Sequence, residues 1–334
     1  MRFADIKHKI KNNPGFESLK EIKEAGYRIV RDRDGDRYFL ARQQELKPLL
    51  VRLGDIAEVK FGIKTGANEF FYLDEERLKE WKIEKEFLKP IIKSPRECKS
   101  ILIKASDLKF KVFMCHKDKK DLKGTNALKY IEWGEESRKD TEGKEIGQFH
   151  KRPSCSGRQR WWNLNEIKSP IISKRFVDVA FSYLWNKSDY AVGDTFFVID
   201  AKDEIYNHEL VLFLNSTIGS FLTEITGRKS MGEGVLLIYG PEITNILVIE
   251  QNAMGTLKEH NTLLFERHSK SIFQELGINP NLPIRDQKPN PLPDRKALDD
   301  VVFDILGLTQ DERNEVYWAV CELVKNRLAK AKSI

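Results

Sequence analysis

The chain has 334 residues, 40% of them hydrophobic and 32% charged, which fits one large globular domain or two ordinary ones with a heavily charged surface. No apolar run approaches the roughly 18 to 20 residues that span a bilayer, and the N-terminal Met1-Arg2-Phe3-Ala4-Asp5-Ile6-Lys7 has no export h-region, so a membrane span and secretion are not expected. The net charge of +6 is only mildly basic, and Cys98, Cys115, Cys155 and Cys321 form no C-x-x-C pair, a spacing that suits a reducing cytoplasm better than a disulfide framework.

Residues 1–50 are polar and irregular. Asn12-Asn13-Pro14-Gly15 is a turn signal, followed by a short helical pattern over 17–25. Two strand-like pieces, Tyr27–Val30 and Tyr38–Leu40, flank a charged turn with Asp34-Gly35 at its tip, which predicts a hairpin. From Val51 the texture changes to strands, tight glycines and short helices. Residues 55–59 predict a short helix or strand entering a glycine turn at Phe61-Gly62-Ile63, and Phe70–Leu73 predicts an apolar strand. Residues 117–147 predict a charged surface insertion with one helix. Strands are expected over 171–173, 179–185, 195–199, 235–239 and 246–249, with one buried helix from Glu209 to Leu222.

The end of the chain is helical. Five prolines between Asn279 and Pro293 predict an extended connector. Leu298, Val301, Val302, Ile305 and Leu306 then share one helical face that ends at Gly307. Thr309 and Glu312 have capping-box spacing and open a second helix with Val316, Val320, Leu323, Val324 and Leu328 on one stripe. The expected organisation is a linker over 1–50, one domain over 51–278, the connector over 279–296 and a helical hairpin over 297–334.

Charge is unevenly spread. Residues 89–175 hold 22 Lys/Arg against 11 Asp/Glu, a net of +11, so the rest of the chain sums to −5. A polyanion partner and a lysine-rich solvated face both fit that asymmetry. Motifs for catalysis are absent from the sequence. The two Asn-Pro dipeptides, at Asn279 and Asn290, lack the second proline and aromatic residue of an amino-methyltransferase tetrapeptide. No G-x-G-x-x-G follows a strand and no G-x-x-x-x-G-K-[ST] occurs. Glu58-Val59-Lys60 and Glu21-Ile22-Lys23 have a nuclease-like E-x-K form but no acidic partner on a core strand. Cys98, Cys115, His116, His150 and Cys155 match no standard zinc spacing.

Three segments have binding chemistry. In Leu53–Leu73, Gly62 and Gly66 bracket Lys64 and Thr65, which suits either a phosphate-approaching loop or a tight turn between core strands. Lys151–Trp162 packs four cations, two serines and paired tryptophans into twelve residues. Guanidinium groups grip phosphates or guanine edges, and an exposed tryptophan stacks on a base, so nucleic-acid contact is the expectation here, with one core tryptophan among solvated cations as the alternative. Gly227–Gly234 is a glycine-rich loop with Arg228, Lys229 and Ser230, fitting a contact loop or a simple connection.

In order along the chain, L-G-D-I-A-E-V-K-F-G-I-K-T-G-A-N-E-F-F-Y-L, F-L-K-P-I-I-K-S-P-R-E, R-P-S-C-S-G-R-Q-R-W-W-N-L, V-G-D-T-F-F-V-I, L-F-L-N-S-T, G-R-K-S-M-G-E-G-V-L-L-I-Y and L-D-D-V-V-F-D-I-L-G-L-T carry a family likeness. The set resembles the C-terminal specificity domain of the adenine-N6 DNA methyltransferases of TaqI-like and Eco57I-like restriction-modification systems. The resemblance implies a mixed α/β (α+β) target-recognition domain with mixed and antiparallel strands and a C-terminal helical pair. It implies sequence-specific recognition of duplex DNA, largely from the major groove, while a separate domain flips and methylates adenine.

On that reading this chain carries no cofactor, S-adenosylmethionine belongs to the catalytic domain, and residues 1–50 resemble the passage out of that domain. Expected partners are duplex DNA, a catalytic methyltransferase domain or subunit and a restriction nuclease, in a prokaryotic cytoplasm. Candidate phosphate contacts are Lys60, Lys64, Thr65, Lys93, Arg96, Lys174 and Arg175. Candidate base-reading or stacking residues are Arg152, Ser154, Arg158, Arg160, Trp161, Arg228 and Lys229. A methyltransferase or nuclease with catalytic residues outside these motifs, and a protein-binding scaffold, are the competing readings.

Overall fold

The computed structural model describes residues 28–31, 37–40, 50–139, 145–229, 234–257 and 263–332. The fold is α+β, with mixed and antiparallel sheets and helices at its C-terminal end. Arg28–Arg31 and Arg37–Leu40 pair antiparallel, as the hairpin pattern predicted. The Asp34-Gly35 tip, the 12–15 turn and the 17–25 helical pattern lie outside the described residues. No helix among the described residues is long and apolar enough to cross a membrane.

The chain forms two compact units, one of residues 60–174 and 184–199, the other of residues up to 59, 175–183 and 200–334. The first carries 28 Lys/Arg against 20 Asp/Glu, a net of +8, which leaves −2 for the second. The positive excess therefore belongs to the first, which we call the basic unit.

The basic unit has a four-stranded sheet in the order Ala191–Val192, Leu88–Ile92, Phe110–Phe113, Tyr72–Leu73. Its first pair is parallel and the others antiparallel. One face packs on an aromatic core. The Phe70 ring stacks on Tyr130 at 4.6 Å between centroids and lies 4.6 Å from Trp161, while the Tyr130 hydroxyl donates to the Phe70 carbonyl at 2.6 Å. A second cluster gathers Ile92, Ile103, Ile172, Leu184, Val192 and Phe196, and Ile171–Lys174 runs antiparallel to residues 196–199 within this unit.

Two expectations fail here. Phe70 and Phe71 are not in a strand: Asn68–Phe71 is a helical turn, and only Tyr72–Leu73 is extended. The Thr65 hydroxyl accepts the Ala67 amide at 3.2 Å and bonds the Asn68 carboxamide, which starts that turn and lets both adjacent rings enter the core. Nor is 117–147 a surface insertion throughout. Leu122, Ala127, Tyr130 and Ile131 are fully buried, so the helix Asn126–Glu135 is a core element despite its charged flanks.

In the other unit, Leu50–Arg52 pairs antiparallel with Leu247–Ile249. The expected strand over 179–185 is shorter, Tyr183–Trp185, with a separate Phe176–Val177, and that over 235–239 shrinks to Leu236–Leu237. The single buried helix expected over 209–222 is two, Asn207–Leu214 and Thr217–Thr226. The break is chemical. The Asn215 carboxamide exchanges hydrogen bonds with the Tyr183 backbone at 3.0 and 2.8 Å, and Ser216 restarts the helix by capping the Gly219 amide at 3.0 Å.

The C-terminal pair, Pro293–Ile305 and Gln310–Lys332, is as predicted. Gly307 has φ +65°, with the Leu308 amide on the Phe303 carbonyl and the Gly307 amide on Asp304, a Schellman end. Thr309 and Glu312 exchange the capping-box bonds at 2.9 and 3.4 Å. The proline-rich connector folds back on helix Ile272–Leu276 through the amides of Asn290 and Leu292. The apolar stripe of the last helix also carries a charge that the periodicity did not suggest: Arg327 is buried against Glu224 at 2.9 Å.

Candidate nucleic-acid interface

Two of the three segments singled out in the sequence meet in the basic unit. Strand Ala57–Phe61 runs into the turn at Gly62–Gly66. Only glycine fits at 62, because an added Cβ would lie 2.1 Å from the Gly193 carbonyl oxygen. Gly66 takes φ +73° and leaves no room for a side chain beside Ser154. These glycines serve close packing. The amides of Gly62 and Ile63 are spent on the carbonyls of Phe196 and Val192, at 3.2 and 2.7 Å, so they are not a phosphate cradle.

Against this turn lies helix Pro153–Ser156 with the chain that follows it. The Arg158 guanidinium donates to the Thr65 carbonyl at 2.8 Å, the Lys64 carbonyl at 3.0 Å and the Trp161 carbonyl at 3.2 Å. Ser154 Oγ donates to the Gly66 carbonyl at 3.4 Å, and Cys155 Sγ reaches the Thr65 carbonyl at 3.7 Å. Arg152 is ion-paired with Glu69 and stands over the Phe149 ring at 4.7 Å. Burial raises the Glu69 carboxyl, but the Arg152 guanidinium outweighs that and leaves it below the usual carboxylate range. Arg160 bonds Asp118 at 2.6 Å. Segments some ninety residues apart are thus clamped into one rigid surface.

The side chains divide into two groups. Lys60, Lys64, Arg96 and Ser154 are exposed, and Arg152, Arg158 and Arg160 are half-buried. Lys64 Nζ sits 4.2 Å from the Phe61 ring, which packs on Phe197. Lys93 Nζ lies 3.5 Å from the Phe110 ring and 5.3 Å from that of Tyr72, while Thr195 Oγ1 donates to the Lys93 carbonyl at 2.6 Å. Aromatic rings thereby hold two lysines without neutralising them. Glu97 is buried and accepts the Lys93 and Ser94 amides at 3.1 and 3.4 Å, fixing the loop that carries Lys93 and Arg96.

The second group points inward. Thr65 is fully buried and its hydroxyl is used within the turn, so it is not positioned to meet a phosphate. Trp161 is a core ring, 7% exposed, whose Nε1 donates to Glu135 at 2.9 Å. Trp162 is equally buried, so neither tryptophan is the exposed stacking surface that the sequence suggested. Desolvation holds the Lys174 ammonium below the usual lysine range, against the pull of the nearby Cys98 thiol, itself pushed up by burial to about 12.

The remaining candidates belong to the other unit. Arg175 lies 5.2 Å from the Tyr239 ring, Arg228 bonds Glu242, and Lys229 is exposed. Ser230–Glu233 of the third segment lie outside the described residues. The pairs that sequence reasoning missed, Arg152 with Glu69 and Lys93 with Phe110, are long-range and leave no local pattern. All four cysteines are buried free thiols. Among the described residues no three His, Cys, Asp or Glu side chains gather as a metal-holding group.

Comparison with known proteins gives two findings. The family model described as type II methyltransferase M.Eco57I, C-terminal domain, matches residues 36–277. Among solved structures, the type IIG restriction endonuclease BpuSI is similar, with a TM-score of 0.56 and 11% sequence identity, over 86% of this chain and 32% of that one. This chain thus spans about a third of the length of that enzyme, and at such identity the likeness is one of fold. No curated relative matches.

Proposed function

The chain belongs to the family of C-terminal domains of type II methyltransferases like M.Eco57I, and from that premise we propose that it is a duplex-DNA recognition module which addresses an adenine-N6 methyltransferase to its site. The observation that carries this reading is the clamped pair of basic segments on the unit that holds the positive excess, with Lys60, Lys64, Lys93, Arg96, Arg152 and Ser154 at or near its surface. A rigid frame of this kind fixes cations at set positions, which is what register on a phosphate backbone requires. Lys60, Lys64, Lys93 and Arg96 take phosphates. Arg152, Arg160 and Ser154 are the side chains offered to base edges, with Glu69 and Asp118 holding the two guanidinium groups in place until DNA competes for them. In the other unit Arg175, Arg228 and Lys229 add contacts.

S-adenosylmethionine and the methyl transfer belong to a separate catalytic domain or subunit, which with duplex DNA and an associated nuclease makes up the partners, in a prokaryotic cytoplasm. The test is a binding titration of the chain with a random-sequence duplex pool across salt, followed by selection of the bound fraction. Steep loss of affinity with salt, a log–log slope of several units, together with enrichment of one short sequence, is the expected result. Absence of salt-dependent binding to any duplex defeats the reading. Methyl transfer from labelled S-adenosylmethionine by this chain alone would place catalysis here instead.

A further inference from the structure

In the unit that holds the C-terminal helices, three two-residue strands form a small antiparallel sheet in the order Phe176–Val177, Leu236–Leu237, Arg228–Lys229. Gly227 permits it, since a Cβ there would lie 2.5 and 2.6 Å from the Ile238 and Leu236 side chains. Register places Phe176, Leu237 and Arg228 in one cross-strand row, and Val177, Leu236 and Lys229 in the next. Val177 and Leu236 are buried, so the row headed by Phe176 faces solvent.

Among the described residues the large apolar side chains left most exposed are Phe176, Ile205, Leu263 and Leu282. Phe176, at 52%, is the aromatic one and the one set among cations. The Arg175 guanidinium lies 5.7 Å from its ring centroid, and the Arg175 carbonyl accepts the Ile238 amide at 2.9 Å. Arg228 is held by Glu242, and Lys229 follows it at the sheet edge. The acids nearby are that Glu242, the exposed Asp178 and the buried Glu224, which is paired with Arg327 and also lies within the field of Lys229, against the four cations Arg175, Arg228, Lys229 and Arg327. An exposed ring flanked by excess positive charge is complementary to a polyanion that carries flat apolar faces.

We propose that Phe176 is a base-stacking contact: its ring wedges against a nucleobase at a step of the bound duplex that it partly unstacks, with Arg175 and Arg228, the cation in its own cross-strand row, directed to the flanking phosphates. The inference rests on the DNA-recognition reading and adds a residue that no basic motif in the sequence marked.

The experiment uses the full chain and the duplex selected by it, with 2-aminopurine placed in turn at each position. Phe176→Ala lowers affinity roughly 10- to 100-fold, the effect of losing one stacked base, and leaves the salt slope unchanged because no charge is removed. Phe176→Trp keeps the affinity, and one 2-aminopurine position changes emission with the wild-type chain but not with Phe176→Ala. Thermal melting of Phe176→Ala stays at the wild-type value, since the ring is solvent-facing. Wild-type affinity in Phe176→Ala, or emission that ignores the substitution, overturns the proposal while leaving DNA recognition standing. A self-association of the wild-type chain that Phe176→Ala abolishes, with DNA affinity intact, also overturns it by assigning the face to a second copy. If the wild-type chain binds no duplex at all, both readings fall together.

Discussion

Replacing Arg158 separates a clamp from a contact. Its guanidinium spans three carbonyls, those of Lys64, Thr65 and Trp161, at 2.8–3.2 Å, and the Thr65 site is wholly buried. Hydrogen bonds to a charged donor contribute about 1.5–3 kcal/mol each. The Lys64 carbonyl lies beside solvent and recovers much of its loss by hydration, so Arg158→Ala should cost about 3–6 kcal/mol, most of it from the Thr65 and Trp161 acceptors. Arg158→Lys restores at most one bond, because an ammonium lacks the planar fork that serves divergent acceptors. Urea or thermal unfolding reads the stability. The clamp predicts lowered stability and a loss of DNA affinity that falls mainly on the preferred sequence, because the loosened frame carries the base-reading Arg152 and Ser154, with the slope of log affinity against log salt unchanged. A true phosphate contact gives unaltered unfolding and a slope smaller by about 0.9. That second pattern refutes the assignment of Arg158 as a structural tie.

Three further outcomes follow from buried groups. Arg327→Met strands Glu224 as an unpaired interior charge and should destabilise by about 3–5 kcal/mol, whereas the double replacement with Glu224→Leu recovers most of it; equal losses in single and double variants would contradict the pair. Trp161→Ala empties the aromatic core and should cost about 3–5 kcal/mol in unfolding experiments, so a stable variant that loses only DNA affinity would return this ring to the binding surface.

Burial raises the Asp299 carboxyl to about 6, although Arg295 and the Thr217 hydroxyl and amide pull the other way. The folded chain therefore keeps a proton that the unfolded chain releases near pH 4. The stability tied to that proton is fully present below about pH 4 and is lost as pH rises through about 6. Relative to Asp299→Asn, the wild type should lose up to about 3 kcal/mol between pH 4 and 7. A pH-independent difference between the two unfolding free energies would remove this assignment.

The legible parts of the sequence were those decided by neighbours in the chain. The Gly307 end, the Thr309–Glu312 capping box and the stripe of Val320, Leu323 and Val324 depend on local backbone geometry and helical period, and the structure has them in place. Elements settled by distant partners read wrongly. Phe70 and Phe71 looked like a strand because four apolar residues run together, whereas the partners that receive the two rings, Tyr130 and Trp161, lie sixty and ninety residues on. Helix Asn126–Glu135 looked like surface because its charges are visible in sequence while the core rings that receive Tyr130 are not.

The candidate interface divides the same way. Sequence by itself located the cations, the paired glycines and the ordered segments that mark the family, since residue type and order are properties of the chain. Tertiary structure decided which of those groups face outward. Arg158 and Trp161 stand in one basic cluster, yet the first is spent on backbone carbonyls and the second on the core. Phe176, an unremarked residue between Arg175 and Val177, is left exposed by the register of a six-residue sheet. A side chain's availability is set by where its hydrogen bonds and apolar area are satisfied, and for Arg158 one of those partners lies ninety-four residues away.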